Sequence, residues 1–508
     1  MKMLVRSAAV AAAFMFALGS AAYAADVSPP VAAKAAPAAV PTGPVPCTNM
    51  IDFFTTSCYI GGAGLTLYGA IDVGYGWQSH GAPFSPYFVT GASYFMQKIN
   101  NKPLWSLAPN GMSQSFIGLK LNSPIVPGPT GVSLVAAVEM GFDPYSLQFA
   151  NSPGSMVQNI GQPGFLQNTN GDSSRAGQWD NGQAFAGFSS PTYGTLTAGR
   201  HNTLAQDVNN AYDPLGASYA FSPIGFSGQN SGFGFTENAR FNTSVKYRVN
   251  VGWLRAGAIY QWGGYEQGNA TTGAWQVQGG GDVPLAEGWG KVSFDAVYGR
   301  SLNAEFLTLP VSPNPALNQL IDTLANIDGL ILGLKYTNGP LNLYFGYSKD
   351  YLSDPSACGG QNNCLHSITT LNDFTIIGTV LAPTTQNTIT TNKYVNGAET
   401  LQSVWGGFKY NVTPTLDLLA GYYHFYNNTY DGFTTAGNCP QGNNSSKCAG
   451  STDAASGAID WRFAPKWDGY FGVMWSQLNG GQQNGGLTGV PALARNNVAP
   501  TAGVRFRF

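Results

Sequence analysis

Charge is what this chain lacks most. Asp, Glu, Lys and Arg make up only 10% of its 508 residues, against about 25% in typical soluble domains. Long apolar runs are missing too. The best candidate for a spanning helix, Leu320 to Leu334, is interrupted by Asp322, Asn326 and Asp328, whereas such a helix needs about 20 mostly apolar residues. Histidine is scarce, with four residues, and there is no C-x-x-C, H-E-x-x-H, G-x-S-x-G, P-loop or dinucleotide fingerprint. These gaps remove the common signatures of metal, ester and nucleotide chemistry, and no metal or cofactor is predicted. What is abundant is glycine, at 65 residues, and aromatic residues, at 13%. Little charge without long apolar runs suits strands in which polar and apolar residues alternate, as in the wall of a membrane barrel.

The N-terminus reads as a secretory signal over residues 1–24. Lys2 and Arg6 precede an apolar stretch from Ser7 to Leu18, and Ala22-Tyr23-Ala24 fits small-x-small cleavage. Removal of Lys2 and Arg6 leaves 22 basic against 26 acidic residues, a formal charge of −4. That is too mild to predict nucleic acid as a partner. Residues 25–63 hold an Ala/Pro tract, expected to be an extended spacer, and a first pair of cysteines. Residues 64–508 would form the barrel. The six cysteines fall into three close pairs, Cys47 with Cys58, Cys358 with Cys364, and Cys439 with Cys448. In an exported chain this spacing predicts local disulfides.

Sixteen strands are expected after about Gly64. In the first, Leu65, Leu67, Ile71, Val73, Tyr75 and Trp77 share one face, while Thr66, Tyr68, Ala70 and Asp72 share the other. The other strands are expected to begin near Met112, Gly131, Gln183, Tyr193, Phe241, Gly252, Gly273, Gly290, Ile331, Pro340, Leu401, Thr415, Ser456, Lys466 and Ala499. Seven short turns alternate with eight long loops, as sixteen antiparallel strands require when both termini lie on the periplasmic side. Parity directs Lys246, Arg248, Arg255, Lys335, Lys409, Arg505 and Arg507 inward, together with Asp72, Glu139 and Asp295, a weak lean towards anions. In the fifth loop, Asn314 as cap, Pro315 in the first turn and Leu317, Leu320, Ile321, Leu324 and Ile327 on one face predict a helix ending at Gly329. The last strand carries Ala502, Val504, Phe506 and Phe508 on one face and Arg505 and Arg507 on the other.

Three segments carry a resemblance. These are Leu67-Tyr68-Gly69-Ala70-Ile71-Asp72, Gly194-Thr195-Leu196-Thr197-Ala198-Gly199-Arg200, and Arg240-Phe241-Asn242-Thr243-Ser244-Val245-Lys246-Tyr247. Together with the terminal Phe508, they make the chain resemble the general sixteen-stranded porins of Gram-negative bacteria, most of all those of rhizobial type. The resemblance implies an all-β, 16-stranded antiparallel transmembrane barrel with an inward-folded third loop, here about His201–Ala239. It implies a homotrimer in the outer membrane with lipid around it, small hydrophilic solutes and ions crossing it, and Phe508 as a signal to the barrel assembly machinery. The constriction would set Asp207, Asp213 and Glu237 of the loop against Arg200 and Arg240 of the wall. Phe116 stands where the family often has an Arg, with Lys120 as a partial substitute. Strict alternation puts Arg200 on the face of Leu196 and Ala198, so a bulge is needed to turn it inward.

The function expected is passive diffusion through a water-filled channel. The alternatives are a substrate-specific channel for sugars or aromatic acids, a surface adhesin or receptor built on the disulfide-tied loops, and a barrel enzyme. An enzyme needs a serine beside one of His80, His201, His366 and His424.

Overall fold

The computed structural model describes residues 46–81, 102–128, 130–145, 147, 182–224, 240–262, 273–304, 323–353, 390–391, 399–427, 450–480 and 494–508. The signal segment, the tract up to residue 45, Glu237, His366 and the cysteines at 358, 364, 439 and 448 lie outside them.

The strands, in chain order, are β1 (Ile60–Gly62), β2 (Leu65–Gln78), β3 (Leu104–Pro109), β4 (Ser115–Val126), β5 (Val132–Phe142), β6 (Ala184–Ser190), β7 (Gly194–Asn202), β8 (Arg240–Val251), β9 (Leu254–Gln261), β10 (Gly273–Pro284), β11 (Lys291–Ala304), β12 (Thr323–Asn338), β13 (Leu341–Ser353), β14 (Thr390–Thr391), β15 (Glu399–Thr413), β16 (Leu416–Asn427), β17 (Gly450–Ala464), β18 (Trp467–Gly480) and β19 (Asn496–Arg507). Two helices accompany them, α1 (Met50–Thr55) and α2 (Leu204–Tyr212).

These segments reduce to a closed, 16-stranded antiparallel barrel. β3 pairs with the Val73–Gln78 half of β2 and β4 with the Leu65–Ala70 half, so the two are pieces of one wall strand. β1 is a short hairpin partner of β2, and β14 makes a two-residue parallel bridge to β12. The ring closes where β19 meets β2, with Val504 opposite Val73 and Arg505 opposite Asp72. Closure pairs the first wall strand with the last, so among the described residues each wall strand has a neighbour on both sides, except along β3, which pairs with β2 alone.

Alternation along the strands sorts the side chains into two faces. Outside, Tyr260, Val277, Phe345, Val404, Tyr422 and Phe471 are exposed apolar residues. Inside, Asp72, Asp295, Ser348, Trp405, Asp417 and Tyr423 are buried. An apolar belt facing outward around a polar interior is the arrangement that hydrocarbon outside and water inside select.

The helix expected in the fifth loop is overturned from residue 323 onwards. Leu324 and Ile327 belong to β12, where Ile327 faces Ser301 of β11 and Leu352 of β13. Spacing by three and four residues is common to a helix face and to a strand that carries apolar residues on both sides. Pairing with two neighbouring strands satisfies each backbone group and decides between them. The strand expected near Met112 also differs. It begins at Ser115, and β3 extends the same wall strand back into the segment expected to be loop, across a break at residues 110–114 with Asn110 in the left-handed region at φ 59°. The freed N–H groups of Met112 and Ser113 donate to Asp72 Oδ2 at 2.7 and 2.9 Å, and Ser115 N donates to the Asn110 side chain at 2.8 Å.

Candidate functional site

Residues 203–224 hold most of the buried side chains that lie off the wall. Thr203 caps α2 by accepting from Gln206 N at 3.1 Å. Leu204, Ala205, Val208 and Tyr212 are buried on one side of the helix, which packs against β9 to β13. Sequence reading missed this helix. The signal was present in a Thr cap followed by apolar residues at i, i+1, i+4 and i+8.

The seat for this segment is cut by glycines on the wall. A Cβ on Gly333 would lie 2.4 Å from Tyr212 Cγ, and one on Gly346 would lie 2.0 Å from the Trp405 ring. At Gly407 and Gly421 the nearest side chain of the segment is Pro214, at 2.8 and 3.1 Å. Into this space come three directed bonds. Tyr212 OH donates to Asp295 Oδ2 at 2.6 Å, Trp405 Nε1 donates to the Tyr212 carbonyl at 3.0 Å, and Tyr423 OH donates to Asp213 Oδ1 at 2.6 Å. The Asp213 carboxyl also accepts from Ala217 N at 2.6 Å. Burial pushes the Asp213 carboxyl up despite the hydrogen bonds that oppose it.

The far end of the segment reaches other strands. Tyr219 OH donates to Gln114 Oε1 at 3.1 Å, Ala220 N donates to the Gly111 carbonyl at 2.9 Å, and Phe221 packs edge-on against Tyr470. One stretch of chain therefore touches β11 and the β3–β4 break, which stand on nearly opposite sides of the ring.

Charged groups on the inner face are mostly matched. Lys246 Nζ and an Arg248 nitrogen meet Asp207 Oδ2 at 2.7 and 3.1 Å. Arg255 bridges Asp282 and Asp295, each at 2.8 Å. Lys409 and Arg462 share Asp417, while Arg505 and Arg507 share Asp468. The anion lean drawn from parity left out Asp282, Asp417, Asp460 and Asp468, which lie close to strand ends and turns. With these included, cations and carboxylates are close to balanced in the described interior.

The expected constriction residues separate into groups. Asp207 and Asp213 lie on the packed segment. Phe116 sits edge-on to Tyr68, and Lys120 lies 5.2 Å from that ring. Tyr68 OH donates to Glu139 at 2.7 Å. Arg200 pairs opposite Ala184, on the side of the sheet that carries Leu196 and Phe188. It is only 3% exposed, and its Nε donates to the Gly182 carbonyl at 2.8 Å. A register shift is present next to it, between Gly199/Ser244 and His201/Phe241, but the one extra residue belongs to β8. Arg240 lies opposite Asn202, beside the buried Phe241. Parity found Lys246, Arg248 and Arg255, and the inward count passed over Arg462.

The described histidines bear on the enzyme alternative. His201 has Ser244 Oγ and Thr197 Oγ1 each at 2.8 Å from its two ring nitrogens, is 1% exposed and stacks on Phe185. The Ser244 hydroxyl is also within bonding distance of the Gly199 and Phe241 carbonyls. A buried serine held this way presents no nucleophile to a substrate. His424 bonds Asp453 at 2.7 Å.

The profile of the Gram-negative porin family matches residues 8–432. The chain belongs to that family. Among solved structures, an anion-selective porin from Comamonas acidovorans is 12% identical, with 87% of this chain and 99% of that chain covered, at a TM-score of 0.51. OmpT, an outer membrane protein of Vibrio cholerae folded in vitro, is also 12% identical, with 89% and 99% covered, at 0.50. At that identity they share the porin's fold. No curated protein matches the sequence. Family and barrel together make this porin an outer-membrane channel protein.

Proposed function

We propose that this porin is a passive diffusion channel for small hydrophilic solutes and ions, narrowed by residues 203–224 folded into the barrel as the third loop. The observation that carries this reading is the run of contacts from Asp295 to Tyr423 to Gln114, which a short segment crossing the interior would make. Asp207 with Lys246 and Arg248 would line the narrow part. So would Phe116, Tyr68 and Lys120 on the facing wall. Charges of both signs across a water-filled gap make a transverse field that sorts solutes by charge, while width excludes large ones. Arg200, Arg240 and Glu237 are assigned here by motif and loop position alone. Transport of this kind needs no cofactor and no conformational cycle.

The same reading places the short turns and both termini on the periplasmic side, and a homotrimer in lipid with Phe508 as the assembly signal. Kinship with rhizobial porins rests on the three quoted segments. A substrate-specific channel is favoured instead by one feature, the Tyr68–Phe116 pair with Lys120 beside it, which suits an aromatic or sugar ring bearing a negative charge.

Single-channel conductance in a planar bilayer under a salt gradient tests the proposal. Stepwise openings in threes with a mild ion preference are expected. Conductance that a particular solute blocks saturably would move the reading to a specific channel. A folded barrel that does not conduct would overturn both.

A further inference from the structure

The disulfide loop ahead of the first wall strand takes no part in the pore, yet its contacts are among the most directed in the molecule. Cys47 and Cys58 are joined, and α1 lies between them, capped by Asn49, whose side chain accepts from Asp52 N at 2.9 Å. Phe53 is buried, with its ring 5.7 Å from Phe506 and 5.3 Å from Phe508, and Phe54 lies 5.3 Å from Phe506. Lys466, in the turn between β17 and β18, donates to the carbonyls of Phe53 at 2.8 Å and Cys58 at 2.6 Å, and its Nζ stands 4.3 Å over the Phe53 ring. Trp467 Nε1 donates to the Phe54 carbonyl at 2.9 Å.

Phe506 shows where this happens. It lies opposite Ile71 and shares the outward face with Val504. Val504 is 38% exposed and Phe506 only 4%. The difference is the cover supplied by Phe53, Phe54 and Trp467. Beyond Cys58 the chain enters β1, which pairs with β2, and β2 is the strand that β19 must find to close the ring. The Phe508–Gly69 bonds of 3.0 and 2.9 Å are the last of that ladder.

We propose that residues 47–58 form a disulfide-closed clasp that fastens β18 and β19 to β2 across the seam where the barrel closes. The seam joins the two ends of the chain, so opening it frees the largest loop in the fold and is entropically the most rewarding place to open. A short covalent loop continuous with β2 and locked onto Lys466, Trp467, Phe506 and Phe508 holds the strands together there. The disulfide keeps the loop in the shape that presents Phe53 and the helix carbonyls to their partners.

Replacing both cysteines by serine tests this, read by the temperature at which the folded band converts to the unfolded band in semi-native electrophoresis. The expected result is a fall of several degrees with room-temperature conductance unchanged. A second disulfide, from Val73→Cys with Val504→Cys across the seam, should restore the lost temperature in the serine variant. Phe53→Leu, which keeps the native disulfide, should give a smaller fall. If the serine variant and Phe53→Leu both convert at the native temperature, the loop is no clasp. If the temperature falls and a formed Val73–Val504 crosslink does not recover it, the loop stabilises some other part of the barrel and the proposal is wrong.

Discussion

The hydroxyl of Tyr212 lies 2.6 Å from Asp295 Oδ2, and Arg255 Nη2 lies 3.0 Å from the same hydroxyl. This one phenol ties α2 to a carboxylate of β11 and a guanidinium of β9. Removing only the oxygen should cost about 1–3 kcal/mol locally, because a buried carboxylate loses a donor. Tyr212→Phe should leave the barrel's melting unchanged and loosen the segment. Recordings in a planar bilayer should show greater open-channel noise than the native protein, and quiet recordings would mean that the bond does not hold the segment.

Arg248 is the exposed member of the Asp207 group, with 44% of its side chain accessible, whereas Lys246 is enclosed. Taking away a solvated charge near the permeation path changes ion energies by about 0.4–1 kcal/mol after screening, or about two- to fivefold in permeability ratio. Arg248→Ala should therefore shift the reversal potential under a salt gradient towards cation preference by that amount. An unmoved reversal potential would place the ion path away from Asp207.

How far the sequence led depends on which force set each feature. The wall was legible because period-two alternation is imposed on nearly every strand by lipid on one side and water on the other. Even the charged Asp72, Lys246 and Asp295 lie on the inner face that parity assigns. The interior was less legible. Nothing local in Gly333, Gly346, Gly407 or Gly421 announces that each leaves room for a ring from another part of the chain. The break at Asn110 depends on a carboxylate 38 residues earlier, Asp72. For Arg200 the two signals disagreed: the motif match asked for an inward bulge, whereas alternation within its own strand set it beside Leu196 and Ala198, the side on which its pairing with Ala184 leaves it.

Those glycines make their own prediction. A methyl on Gly346 would sit 2.0 Å from the Trp405 ring, whose Nε1 donates to the Tyr212 carbonyl. Gly346→Ala should force the indole off its seat at a cost of about 1–3 kcal/mol. The same substitution at Gly457, where an added Cβ meets nothing within 4 Å, should be tolerated. Heat-conversion temperature and single-channel noise, compared between the two variants, check this. Equal behaviour would mean that Trp405 moves freely.

Asp213 gives a pH dependence with a definite sign. Its carboxyl is raised above the ordinary value of about 3.9 because burial penalises the anion more than Tyr423 and the backbone donors favour it. The folded segment thus holds its proton more tightly than a solvated chain would. Its contribution to stability is fullest in acid and is lost as pH rises through the raised value. Lowering the pH from neutral towards about 4 should therefore tighten the segment. Open-channel noise should fall over that window in the native protein and stay flat in Asp213→Asn, which keeps the shape and cannot ionise.

The outer belt should be intolerant of charge in proportion to depth. Leu332 lies midway along β12, faces outward and is flanked by Ala296 and Tyr347 on the neighbouring strands. An arginine there would enter hydrocarbon near the centre of the bilayer, at about 2–4 kcal/mol, falling to about 0–1 near the interfaces. Leu332→Arg should lower folded yield and heat-conversion temperature clearly. Leu343→Arg, on the same outward face of the wall but in β13 only four residues from the Asn338-Gly339 turn, should lower them little. Folding yield of the two proteins into lipid vesicles, measured side by side, separates the cases. Equal losses would mean that the hydrocarbon slab reaches the short turns, whereas no loss from Leu332→Arg would mean that β12 faces another protein surface at that height.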